Sequence, residues 1–394
     1  MTNHMRFHDR WYPADPASLA ALLEVRAGRP DPERERREAP EEAGRRDALH
    51  TSATAAGARS DRAAAPLLAV LPHAGLSYSA RGQRAFWAAS GAASGAASTG
   101  TGVATGSGAG AGAGTGPRAG ERPGTDTGAG DVALRDRIDA VVIVAPSHYV
   151  PLPADTTVAA PFTAHETPFG DLPGLALAGD RMDRETVEDE HAVELLLPGV
   201  AYHLGRDLPV GAVVVGPVTG AAAARTVARR LLDSLDALGV RRPLWLVSSD
   251  ATHYGPGFRW EPWGRGTWRN LAAQVYADDA ELIGAGIAGR SDAFWDRLQR
   301  PSTVCGRYAL GLALAALEIQ EERGTLRRGT GAILEYYSSA GDLDSAGAGG
   351  GEGAGRGGSA RPRGITDSGH GDGDAREFVC YATAEITGTW RVAE

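Results

Sequence analysis

Four histidines and one cysteine carry most of the chemical information in this chain. His73 follows the run from Pro66 to Pro72, His148 follows the run from Ala140 to Ser147, and His253 follows the run from Leu244 to Thr252. Each run is rich in Val, Leu and Ile, as a buried strand is, so each imidazole stands just past a strand end. His191 opens the stretch His191-Ala192-Val193-Glu194-Leu195-Leu196-Leu197-Pro198 and begins an amphipathic helix. In a parallel α/β sheet the C-terminal strand ends converge on one crevice, where ligands bind. Imidazoles delivered from several such ends can meet around one metal ion or one substrate.

The cysteine extends this pattern. Cys305, in Thr303-Val304-Cys305-Gly306, lies immediately before a helix that starts near residue 306. A helix N-terminus lowers a thiol pKa and favours the ligating thiolate. Neutral imidazole is a common ligand for iron, copper and zinc, and thiolate is the softest side chain available. His73, His148 and Cys305 are therefore candidate metal ligands that would occupy one face of an ion and leave the other open. This arrangement is similar to the two-histidine, one-carboxylate sites of non-haem iron, with sulfur replacing oxygen. The bland alternatives are hydrogen-bonded structural histidines and a small buried apolar cysteine.

Asp250 and His253 form a second constellation, in Ser248-Ser249-Asp250-Ala251-Thr252-His253-Tyr254-Gly255. An Asp that orients the ring would make His253 a general acid–base; the alternative is an Asp that caps a turn. Neither Ser248 nor Ser249 lies in a Gly-x-Ser-x-Gly elbow, which argues against a serine hydrolase triad. Glu190 and Glu194 flank His191, and Glu194, three positions on, can face the crevice with it. The simpler account is a solvated acidic first turn, with His191 as a pocket wall. His165 reads as a polar loop residue, His203 as a helix surface position, and His4, His8, His50 and His370 as bystanders in termini or low-complexity tracts. Cys380 alternates with Phe378 and Ala382 and reads as core.

The elements that must position these groups follow from periodicity. Strands are expected at 66–72, 140–145, 157–160, 210–215, 243–248, 331–337 and 376–390. Helices are expected from near Arg81 and at 220–238, 266–288, 291–299 and 306–322. The 210–248 stretch reads as a parallel βαβ unit, and the last two strands as a hairpin. The chain has 394 residues and 54 Gly, concentrated in two tracts at 88–130 and 341–375. With the Arg-, Glu-, Ala- and Pro-rich stretch 26–62, these read as disordered insertions that cannot bury enough apolar area to offset chain entropy. What remains is one α/β domain with a mostly parallel sheet flanked by helices.

Composition excludes several functions. A net charge of −9 gives no electrostatic reason to bind nucleic acid. All 40 basic residues are Arg, so lysine Schiff-base chemistry and a P-loop lysine are absent. No apolar run of about 18 residues suggests a membrane span, and the polar N-terminus shows no signal peptide. Two cysteines make no disulfide framework, so a reducing cytoplasm is expected.

Taken together, these stretches resemble the MEMO family, called protein B of the AmmeMemoRadiSam system in prokaryotes. The resemblance rests on Arg10-Trp11-Tyr12-Pro13, Pro72-His73-Ala74-Gly75 with Ser77-Tyr78-Ser79, Pro146-Ser147-His148 and Thr167-Pro168-Phe169-Gly170. It continues with Glu190-His191, Glu194 and Leu197-Pro198, then Ser248-Ser249-Asp250 with His253-Tyr254-Gly255, and Cys305-Gly306. It implies a fold similar to class III extradiol dioxygenases. It also implies metal ligands at His73, His148 and Cys305 for iron or copper, an acid–base histidine at His253, and Asp250 and His191 lining the same pocket. Implied partners are radical-SAM and AMMECR-type proteins, or a small molecule or peptide in the crevice. The implied activity is metal-dependent oxidoreduction, or else non-catalytic peptide or protein binding. The chain departs from the family in its glycine tracts and in Ala192, where Ser is common.

Overall fold

The computed structural model describes residues 1–24, 64–92, 133–342 and 375–391. Among these described residues, thirteen strands run in chain order: β1 (Thr2–Asn3), β2 (Ala65–Leu71), β3 (Ala140–Pro146), β4 (Thr157–Ala159), β5 (Ala164–His165), β6 (Leu172–Pro173) and β7 (Arg181–Met182), followed by β8 (Val210–Val215), β9 (Pro243–Ser248), β10 (His253–Tyr254), β11 (Leu326–Ser338), β12 (Gly341–Asp342) and β13 (Phe378–Trp390). The helices are α1 (Pro16–Leu23), α2 (Leu76–Ser90), α3 (Leu134–Arg137), α4 (Arg184–Glu188), α5 (His191–Glu194) and α6 (Leu197–Leu204), followed by α7 (Ala221–Ala237), α8 (Trp268–Ile287), α9 (Ser291–Leu298) and α10 (Arg307–Glu322).

One ten-stranded sheet dominates, in the order β12-β11-β13-β2-β9-β3-β8-β4-β7, with β10 paired to β13. Its centre, β2-β9-β3-β8, is parallel. Successive side chains of a strand point to opposite faces, and these strands use both. Leu68, Val70, Val142, Val144, Trp245 and Val247 pack into one core with α7, α8 and α10. Ala69, Leu71, Val141, Ile143, Leu244 and Leu246 pack into a second core with α2 and α6. Burial on both faces is why the central strands read as continuous apolar runs. A smaller cluster of Tyr12, Leu19, Leu23, Leu76, Ala80 and Leu195 seats α1 beside the start of α2.

The sheet is mixed rather than mostly parallel. β13 runs antiparallel to β2 and β11, and β4 runs antiparallel to β8. An apolar run shows that a strand is buried but not which way it points. α2 begins at Leu76, not near Arg81: Gly75 precedes it, and the Leu76 amide bonds the Trp11 carbonyl at 2.7 Å. It continues to Ser90, and Gly341 and Asp342 form β12, so both glycine tracts start inside regular elements, at 88–90 and 341–342. Residues 26–62, 93–130 and 343–374 of the predicted insertions, with His50 and His370, lie outside the described residues. No helix among the described residues is long and apolar enough to cross a membrane.

Candidate metal centre

Three segments deliver the candidate ligands. His73 lies two residues past β2, His148 two residues past β3, and Cys305 two residues before α10. Their ligand atoms all lie within 4.8 Å of one another, with His73 Nε2 3.3 Å from Cys305 Sγ. The His73 and His148 rings stand 5.0 Å apart at 80°.

Each ligand is fixed from behind. Ser248 Oγ gives its one hydrogen to the Ala192 carbonyl at 2.6 Å, so its 2.9 Å contact with His73 Nδ1 requires the ring N–H to donate. His73 Nε2 is then the bare nitrogen, turned toward Cys305. Burial first, and then the neighbouring imidazoles of His148, His191 and His253, push the His73 pKa well below its usual value and keep the ring neutral. His148 is held by Glu190, whose two oxygens accept the His148 amide at 2.7 Å and Nδ1 at 2.8 Å. Burial opposes protonation of His148, but hydrogen bonding and charge from Cys305 and Glu190 outweigh it and raise the ring to about 10. Cys305 Sγ accepts the Asp250 amide at 3.2 Å. Gly306 beside it is required, because a Cβ there would sit 2.4 Å from the Ser248 carbonyl oxygen and from Ser249 Cβ.

The other expected site residues gather at the same place in different roles. His191 packs against both ligands, its ring 4.5 Å from the His148 ring at a tilt of 42° and 5.3 Å from the His73 ring, edge-on at 88°. Its Nδ1 lies 3.2 Å from Glu190 Oε1, off the hydrogen-bonding direction. Asp250 does not orient His253. Its carboxylate accepts the His73 amide at 2.9 Å, whereas His253 Nδ1 faces the Ala251 carbonyl at 3.1 Å. Burial raises the Asp250 pKa against the charge of His253 and the amides of His73 and Ala74.

Several bystander readings change. Glu190 is not a solvated first turn: it is 1 % exposed and caps α5 through the Ala192 amide at 3.1 Å. Burial works against its charge, yet the His148 hydrogen bonds and nearby His191 hold it down at about 2. Glu194 faces away from the crevice and accepts from the amides of Arg6 and Phe7 and from the Tyr12 hydroxyl at 2.6 Å. His203 is buried against Trp87 rather than exposed, and His165 is buried between Asn3 and the Val210 carbonyl. Cys380 is fully buried, as expected.

By pinning the N-terminal segment, Glu194 builds a wall sequence reasoning did not foresee. Phe7, Trp11 and Tyr149 surround His191 at ring distances of 5.9, 4.7 and 5.5 Å. With Arg6, Arg10 and Asp189 they line a cleft of about 480 Å³; none of the three donors is among its lining residues.

Fold and site together define a mixed α/β protein with a two-histidine, one-cysteine cluster at the ends of its central strands. The chain belongs to the Memo-like protein family, whose profile matches residues 127–346. That span contains His148, His191, Asp250, His253 and Cys305; His73 precedes it. The chain is 29% identical over 196 residues to Protein memo-1 homolog of Caenorhabditis elegans, covering 46% of this chain and 53% of that protein. It is 27% identical over 204 residues to Protein MEMO1 of Danio rerio, covering 47% and 64%. Against Protein MEMO1 of Xenopus tropicalis it is 29% identical over 204 residues, covering 46% and 63%. The chain thus spans between about half and two thirds of the relatives' length.

Proposed function

We propose that this chain is a metal-binding member of the Memo-like family in which His73, His148 and Cys305 hold one iron or copper ion for redox chemistry in a dioxygenase-like crevice. One observation carries the reading. Three donor atoms from distant segments lie within 4.8 Å of one another, while Ser248 and Glu190 already engage the far side of each imidazole. Metal-ligating histidines characteristically give their other N–H to such partners.

The donor set fits either metal, because two imidazole nitrogens and a thiolate suit both iron and copper. A bound ion would supply Lewis acidity and a one-electron redox couple. The chain's own groups have separable tasks. Ser248 keeps the proton on His73 Nδ1, Glu190 keeps it on His148 Nδ1, and the Asp250 amide steadies the sulfur. His253 presents Nε2 as proton acceptor, since its Nδ1–H is directed at the Ala251 carbonyl. His191 and the aromatic wall shape the space for a substrate. The architecture is that of a class III extradiol dioxygenase with sulfur in place of the carboxylate, and the expected partners are radical-SAM and AMMECR-type proteins.

A second reading, a peptide- or protein-binding module, is supported by the cleft, whose mouth carries Arg6 and Arg10 beside three aromatic rings. Elemental analysis of the purified full chain separates the two. Stoichiometric iron or copper, lost in Cys305→Ala, is expected. A wild type that takes up neither ferrous nor cuprous ion overturns the metal reading and leaves the binding module. With catechols or a reductant as substrate, His253→Ala is expected to slow oxygen consumption.

A further inference from the structure

Gln83, on α2, is 1 % exposed and lies outside the ligand cluster. Its Nε2 donates to the Pro72 carbonyl at 3.1 Å and to the Leu195 carbonyl at 3.2 Å. An amide nitrogen has two hydrogens, and both are spent here. Reversing the amide would aim Oε1 at two carbonyl oxygens, so its orientation is fixed. The two acceptors are well chosen. Pro72 immediately precedes His73, and the Leu195 amide bonds the His191 carbonyl at 2.9 Å, closing the turn that His191 opens. The two rings they carry stand 5.3 Å apart at 88°.

The surroundings of Gln83 are shaped to let it reach both. A Cβ on Gly82 would lie 2.8 Å from Pro72 Cγ, so only glycine lets α2 press this closely on the end of β2. A Cβ on Gly199 would lie 3.2 Å from Gln83 Oε1 and 3.1 Å from Trp87 Nε1. No apolar side chain supplies two donors, and an ionised glutamate supplies none.

We propose that Gln83 is a positioning residue that ties the backbone before His73 to the backbone after His191 and so sets the spacing of the two imidazoles. Part of its test rests on the metal reading above, and part does not. The metal-free test is the ¹H–¹⁵N imidazole spectrum of the full chain; the metal test is titration with cobalt(II). The variants are Gln83→Met and Gly199→Ala, the second pressing on Oε1 without removing either hydrogen bond. The control is Gln320→Met, which removes a buried amide that pairs with Trp245 inside the α10 core.

The His73 and His191 resonances are expected to move together in Gln83→Met and Gly199→Ala. Cobalt affinity should fall about tenfold in Gln83→Met, the low end for groups outside the first ligand shell. Gln320→Met is expected to lower the melting temperature while leaving both readouts in place. Unchanged ring resonances in either folded test variant would overturn the proposal, as would an equal shift in Gln320→Met. A wild type that binds no cobalt would sink the metal reading alone, because the resonances still decide the role of Gln83. Should Gln83→Met fail to fold, Gly199→Ala carries the same test.

Discussion

Which nitrogen each candidate ligand exposes is decided behind the crevice, not inside it. Ser248→Ala removes the acceptor that fixes the His73 tautomer, and Glu190→Gln weakens the pull on His148. Each is expected to cost about 10–100-fold in metal affinity, measured by calorimetric titration; unchanged affinity in both would mean that these contacts do not orient ligands. The cysteines should differ sharply. Iodoacetamide is expected to modify Cys305, which is partly accessible, and to spare Cys380, which is fully buried with its thiol pKa pushed up by burial. Peptide mapping by mass spectrometry reads this directly, and modification of Cys380 at the same rate would contradict its burial. His73, His148, His253 and Cys305 were legible in the sequence because each sits where a run of one periodicity stops. Glu190 and Ser248 were not, because their partners lie 42 and 175 residues away. His203 misled for a related reason: helical spacing does not say that a second layer covers the face it occupies.

At the scale of elements, the turn into α10 is the tightest joint of the site. Gly306→Ala is expected to destabilise the fold by about 1–3 kcal/mol, as overpacking does, and to weaken metal binding by displacing Cys305; urea denaturation with metal titration tests both. A second joint holds β10. Asp279 on α8 accepts from the Thr252 amide and hydroxyl and from the Tyr336 hydroxyl at 2.7 Å, just before His253. Burial lifts the Asp279 pKa to about 6 from 3.8, against those hydrogen bonds. The folded state therefore holds this proton more tightly than the unfolded chain, so its contribution is greatest at low pH and fades as pH rises from about 4 to about 6. The loss is on the order of 3 kcal/mol at about 1.4 kcal/mol per pKa unit. Asp279→Asn should flatten that part of the stability profile, and an unchanged slope would refute the assignment. The positions of β2, β3, β8, β9 and α7 to α10 were readable within a residue or two. Alternation marks only 331–337 of β11, which spans Leu326–Ser338 with register shifts at Arg328/Gly331 and Ile333/Glu335. β5 and β6 leave no mark in the sequence, because strands of two residues carry no periodicity.

For the molecule as a whole, the two cores pack against the two faces of the parallel centre. Phe86 and Trp87 of α2 share one core with Leu134, Ile138 and β3. Deleting residues 97–127, between those pieces, is therefore expected to leave the melting temperature within a few degrees of wild type, by calorimetry. A large drop would show that the tract supports the core. The pairing of β13 with β2, and of β10 with β13, bears on something broader. The strand that leads to His73, already flanked by β9 on one edge, and the short strand that contains His253 both take residues 378–390 as a hydrogen-bonded neighbour. Synthesis must pass residue 388 before both of these strand contacts can form, although Ser248 and Asp250 can hold His73 earlier. A chain truncated before Phe378 is therefore expected to bind iron or copper more weakly than the full chain, measured by the same titration.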